Sequence, residues 1–180
     1  MANSLKSMSP LNRLVLRGVL LALSFILSAI DHSLPGFLPG VPPMSIGLAN
    51  LVVLFSLIFL NAKDALIITL AKSIFVFFLR GPISFLLSLS GGLLALLIEV
   101  LIWVLPKKKI SIYFLSAIGG IFHNVGQILA YSFYAKLNVW VLMIPLALVG
   151  LVTGILIAFI LNLLTPLMDR WFKNRRKDFG

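Results

Sequence analysis

The sequence predicts an all-α integral membrane protein, a bundle of six transmembrane helices with both ends in the cytoplasm. Three observations carry that prediction. The 180 residues are 61% hydrophobic and 11% charged, against about 45–50% apolar in an average soluble domain, so too little polar surface exists to coat a water-soluble globule. Six stretches approach the roughly 20 apolar residues that a bilayer-crossing helix needs, at 14–30, 44–60, 65–80, 83–105, 110–135 and 139–165. The basic residues gather in alternate loops between them. The composition excludes a soluble enzyme, a disordered tail and a disulfide scaffold. With no cysteine there is also no thiolate metal site and no cysteine nucleophile.

The first stretch follows Lys6 and Arg13 and contains Arg17. Small residues are not placed for cleavage around Ser28 to Ile30, so it reads as a retained helix rather than a signal peptide. The segment DHSLPGFLPGVPP, 31–43, holds four of the nine prolines. It blocks regular helix and is expected as an extended outer segment, either a rigid connector or a lid over a pocket. The second stretch opens with SIGLAN, placing Asn50 about two turns below the outer surface. The third carries Lys72 at mid-span, about 11 Å from either face at 1.5 Å per residue, and ends at Arg80, Gly81 and Pro82. The fourth contains SLSGG, with Ser88 and Ser90, and the fifth GGIFHNVGQ, with His123, Asn124 and Gln127. The sixth carries Gly150, Gly154 and Ala158 and runs into a basic tail, 166–180.

Placing the N-terminus inside puts twelve of the fifteen Lys and Arg residues on the cytoplasmic side, including Lys63, Lys107 to Lys109 and the tail. The expected location is the plasma membrane, multi-pass, with both termini cytoplasmic. The net charge of +10 is thereby accounted for by topology and membrane-lipid headgroups rather than nucleic acid. The six stretches leave no length among these residues for an ATPase or a catalytic domain.

Polar groups inside a membrane are costly and face a bundle interior or a cavity. With these directions Asn50, Lys72, Ser90, His123 and Gln127 all fall between the outer mouth and the midplane, on four different helices. Asn124 is one step round from His123. His123 and Gln127, four apart, share a helix face. The expectation is an outward-facing polar pocket above an apolar floor. Lys72 has two readings: an anion-binding cation, or a lysine paired with Glu99 or a backbone carbonyl. Arg80 at the mouth either guides an anion inward or contacts headgroups. No metal is expected, since His32 lies in the outer loop and no HxxxH or HxxE pair exists. No cofactor or catalytic residue is expected either: the five carboxylates are scattered, mostly at surfaces, with no DDxxD cluster for magnesium. Gly18, Ala22 and Ala29 on the first helix, and Gly150, Gly154 and Ala158 on the last, form small-residue stripes that suit helix packing or docking of another subunit.

The runs PMSIGLANLVVLFSLIFLNAKDALIITLAKSIF, SLSGGLLALLI, SAIGGIFHNVGQILAY and LVGLVTGILI resemble the Gx transporter family, also named heptaprenyl diphosphate synthase component I, over roughly residues 31–161. The mid-helix basic position, often arginine in such proteins, is Lys72 here. The family is similar to the S components of energy-coupling factor transporters, six-helix proteins that capture vitamin-like solutes from outside and join a transmembrane coupling subunit and two ATPases. The resemblance implies a non-enzymatic, solute-binding membrane subunit using Asn50, Lys72, Ser90, His123, Asn124, Gln127 and Arg80. It implies docking through the first helix, where Gly18-xxx-Ala22 stands in place of alanine-xxx-alanine. The other name implies an accessory role in polyprenyl diphosphate synthesis, although the aspartate-rich diphosphate machinery is absent from the sequence.

Overall fold

A computed structural model describes residues 10–33, 44–104, 110–136 and 140–178, with side chains up to Pro166 apart from that of Trp140. Among these residues every long element is a helix: α1 Pro10–Ser33, α2 Asn50–Phe59, α3 Ala62–Arg80, α4 Pro82–Val104, α5 Ile112–Ala135 and α6 Met143–Asp178, the last preceded by a 3-10 turn at Trp140–Leu142. Four are long and apolar enough to cross a membrane: α1, α4, α5 and the Met143–Pro166 part of α6. α3 has the length but carries Lys63, Asp64, Lys72 and Arg80.

The second stretch departs from expectation. Only Asn50–Phe59 is helical, ten residues or about 15 Å, too short to cross a bilayer by itself. Residues 44–47 are irregular and lead into a turn at 48–49. The first helix runs further than expected, through Asp31, His32 and Ser33. The proline-rich segment proper, 34–43, lies outside the described residues, and so does the connector or lid expected there.

Local chemistry explains the helix ends. Asn61 caps α3, its Oδ1 accepting from the Asp64 N–H at 2.9 Å. Asp64 in turn pairs with Arg17 of α1, Nε to Oδ1 at 3.0 Å. Gly81, at φ +83°, turns the chain in a single residue, and Pro82 opens α4 at the position where its missing N–H costs nothing. Ser111 caps α5 by accepting from the Tyr113 N–H.

Packing places α2 at the centre. Val52, Val53, Leu54, Phe55 and Leu57 are all buried, so α2 is surrounded rather than amphipathic. Its core extends through Leu20, Ile68, Leu96, Leu115 and Leu161. Phe25 of α1 stacks on Phe75 of α3 at 4.5 Å. α5 and α6 touch through backbone: a Cβ on Gly120 would collide with the Gly150 carbonyl oxygen, one on Gly150 with that of Gly120, and one on Gly154 with that of Ser116. The Gly150 and Gly154 stripe is therefore spent on intramolecular packing. Gly18 has nothing within 4 Å of where its Cβ would sit.

The distribution of polarity is inverted relative to a soluble domain. Leu14, Val19 and Ile26 on α1 and Ile144, Val152 and Phe159 on α6 are exposed, while Asp31, Asp64, Lys72, Glu99, His123, Asn124 and Gln127 are buried. Lipid as solvent favours that arrangement.

Candidate functional site

Polar residues of three helices, α1, α3 and α5, converge on one short segment, Ser45 to Asn50, which joins the irregular stretch to α2. Asp31, near the end of α1, holds three of its peptide groups. Its Oδ1 accepts from the Ile46 N–H at 2.7 Å, and its Oδ2 from Gly47 at 2.8 Å and Leu48 at 3.1 Å. These are charge-assisted bonds to N–H groups that the short turn into α2 leaves without helical partners. Gly47 has φ +94°, and a Cβ there would press to 3.1 Å from His123 Cδ2, so conformation and space both require glycine.

α5 grips the same segment from the other side. Gln127 Oε1 accepts from the Ser45 N–H at 3.0 Å, while its Nε2 donates to the Ser45 carbonyl at 2.9 Å. The Ser45 hydroxyl lies 3.0 Å from His123 Nε2. Asn124 Nδ2 donates to the Leu146 carbonyl of α6 at 2.7 Å, and Gln127 Nε2 also reaches Asn124 Oδ1 at 3.3 Å. The spacing of 123, 124 and 127 aims this set at one face. Gly91 of α4 allows that face to come close: its Cβ would sit 2.9 Å from Gln127 Cγ and from His123 Nδ1. His123 Nδ1 faces Gly91 of α4, and no carboxylate hydrogen-bonds it among the described residues, so the Ser45–His123 pair lacks the orienting carboxylate that a nucleophilic triad needs.

Lys72 closes the third side. It is 3% exposed, and its Nζ donates to Asn50 Oδ1 at 2.7 Å. Its charge neighbours are Asp31 and Glu99. Gly92 of α4 lies beside its stem, with a Cβ there falling 3.5 Å from Cε. An ammonium has three N–H donors, and Asn50 takes one.

The remaining expected residues sit apart. Ser90 is half-buried, its hydroxyl turned back to the Leu87 carbonyl at 3.1 Å. Its neighbour Ser88 faces inward instead, 3.2 Å from Ser73 Oγ. Arg80 bonds the His32 carbonyl at the end of α1. The carboxylates expected mostly at surfaces are otherwise: Asp31, Asp64 and Glu99 are buried, each on a helix end or face that turns inward. No grouping of three His or acidic residues able to hold a metal occurs among the described residues. Asp31 and Ser45 are the members that residue type did not mark. Asp31 looked like a loop carboxylate, and Ser45 acts largely through its backbone, which no side-chain motif reports.

A family model described as heptaprenyl diphosphate synthase component I matches residues 20–164, which takes in Asp31, Ser45, Asn50, Lys72 and the three α5 residues. No curated protein and no solved structure matches the chain.

Proposed function

The chain belongs to the heptaprenyl diphosphate synthase component I family, and from that premise we propose a binding role: a multi-pass membrane subunit that takes a small anionic solute from the outer side. Partner ATPases, through a transmembrane coupling subunit, power its uptake. One observation carries this reading. A buried lysine whose ammonium makes one hydrogen bond among the described residues sits inside a helical bundle whose exterior is apolar. Burying an ammonium is costly unless it serves a partner, and an intramembrane charge marks a site by default. Asn50, His123, Asn124 and Gln127 supply neutral polar groups around it, Ser90 lies at the rim, and Arg80 stands at the mouth. In this reading the Ser45–Asn50 segment occupies the site at rest and yields part of its contacts to the solute. Gly18 and Ala22, on the open face of α1, are the docking face for the coupling subunit.

The test is mass spectrometry of small molecules released from detergent-purified protein, wild type beside Lys72→Met. A stoichiometric water-soluble anion in the wild type, lost in the variant, supports the role and names the cargo. A solute bound equally by both removes Lys72 from the site.

The family's description favours a second reading, a membrane accessory subunit of polyprenyl diphosphate synthesis that anchors a soluble catalytic partner. The many internally satisfied bonds at Ser45 suit a scaffold as well. This reading expects co-purification with a prenyl synthase and altered product chain length when the protein is deleted.

A further inference from the structure

Glu99 of α4 takes no part in the clamp on Ser45–Asn50. It is 3% exposed and lies flat against α5 at Gly119. A Cβ on residue 119 would collide with Glu99 Oε1 and come within 2.8 Å of Cδ and 3.1 Å of Cγ, so the helix contact is shaped around a carboxyl group. No donor among the described residues hydrogen-bonds it; its interaction partner is the charge of Lys72 on α3. Leu96 and Leu115, one turn away on α4 and α5, belong to the apolar core.

The charged groups around it are few. α3 contributes Lys72. From α5, Gly119 carries no side chain, and His123 a turn further on interacts with Lys72 rather than with Glu99. From α1, Asp31 and His32 interact with one another, and Asp31 with Lys72. Asp31 already has Lys72 as countercharge and three N–H donors. One lysine therefore faces two buried carboxyl groups, and the second has no donor. An ionised carboxylate in such surroundings costs far more than a neutral acid.

The geometry points to Glu99 as a proton-binding site: a neutral, exchangeable carboxylic acid lodged in the Gly119 notch, with its occupancy governed by the charge on Lys72. This goes beyond solute binding and stands without it. If an anion does bind Lys72, it withdraws the countercharge that competes with the proton, so solute and proton load together; that consequence alone rests on the proposed function.

The experiment is infrared spectroscopy at neutral pH on the full chain in lipid nanodiscs, comparing wild type, Glu99→Gln, Lys72→Met and Lys72→Arg. The wild type should show a protonated-carboxyl stretch that Glu99→Gln lacks and that is stronger in Lys72→Met. Glu99→Gln, which copies the neutral acid, should melt at the wild-type temperature, and so keep the result independent of misfolding. The hydrophobic carbodiimide dicyclohexylcarbodiimide should modify Glu99, faster by several-fold in Lys72→Met and at the wild-type rate in Lys72→Arg. A difference spectrum carrying ionised carboxylate bands in place of the protonated stretch overturns the proposal, and equal labelling of all lysine variants overturns the control by Lys72.

Discussion

Gln127 and Ser45, 82 positions apart in sequence, pair as two neighbouring strands would: the glutamine amide accepts from the serine N–H and donates to its carbonyl. A side chain thereby satisfies both backbone groups of a buried residue that no helix serves. Gln127→Leu removes both bonds in a site closed to water, leaving a donor and an acceptor at about 1–3 kcal/mol each. The variant should melt several degrees lower in detergent than the wild type.

Asp31 anchors the same segment from α1. Asp31→Asn keeps the shape but loses the charge and one acceptor oxygen, weakening three bonds that each exceed a neutral one. Hydrogen–deuterium exchange should show protection lost at the Ile46, Gly47 and Leu48 amides, by a factor of ten or more, while amides within α5 and α6 stay protected.

Gly120 and Gly18 are paired tests of helix contact. Gly120→Ala puts a methyl group into the Gly150 carbonyl, a backbone atom that cannot swing aside; α5 and α6 must part, and a loss of stability of about 2 kcal/mol or more is expected. Gly18→Ala meets nothing and should leave stability unchanged or raise it by about 1 kcal/mol through helix propensity. Thermal melts of the two variants side by side check the contrast.

Lys72→Arg and Lys72→Met separate charge from shape at the site. Arginine keeps the positive charge but is longer and planar, and should retain weakened solute binding. Methionine should abolish it. Equilibrium dialysis with the released solute checks the order, and equal affinity in all three proteins would refute it.

The apolar runs foretold α1, α4, α5 and α6 because continuous hydrophobic sequence of sufficient length has few other solutions. They misjudged the second run for a physical reason. Met44 to Ala49 are apolar enough to continue a helix, but Gly47 adopts φ +94° and Asp31 draws the amides of Ile46 to Leu48 out of helical register. A hydropathy pattern does not see a carboxylate arriving from another helix. The site was legible where residue type is conspicuous in lipid: Lys72 meets Asn50, and His123, Asn124 and Gln127 face one way. What they meet was not legible, since Ser45 enters through its peptide group and Asp31 and Glu99 looked peripheral in sequence. Lys72 bonds Asn50, while Glu99 is a charge neighbour without a hydrogen bond to it.

The one-residue link at Gly81 bears on how the bundle is assembled. α3 brings Lys72 to the site but, with four charged residues, is poorly suited to partition from water into a bilayer unaided. α4, joined to it by a single glycine, carries Glu99 as its one charged residue. The two can enter together as a hairpin, the second helix lending the first its affinity for lipid. The tight turn thus keeps the helix that carries the central cation beside one apolar enough to hold it in lipid.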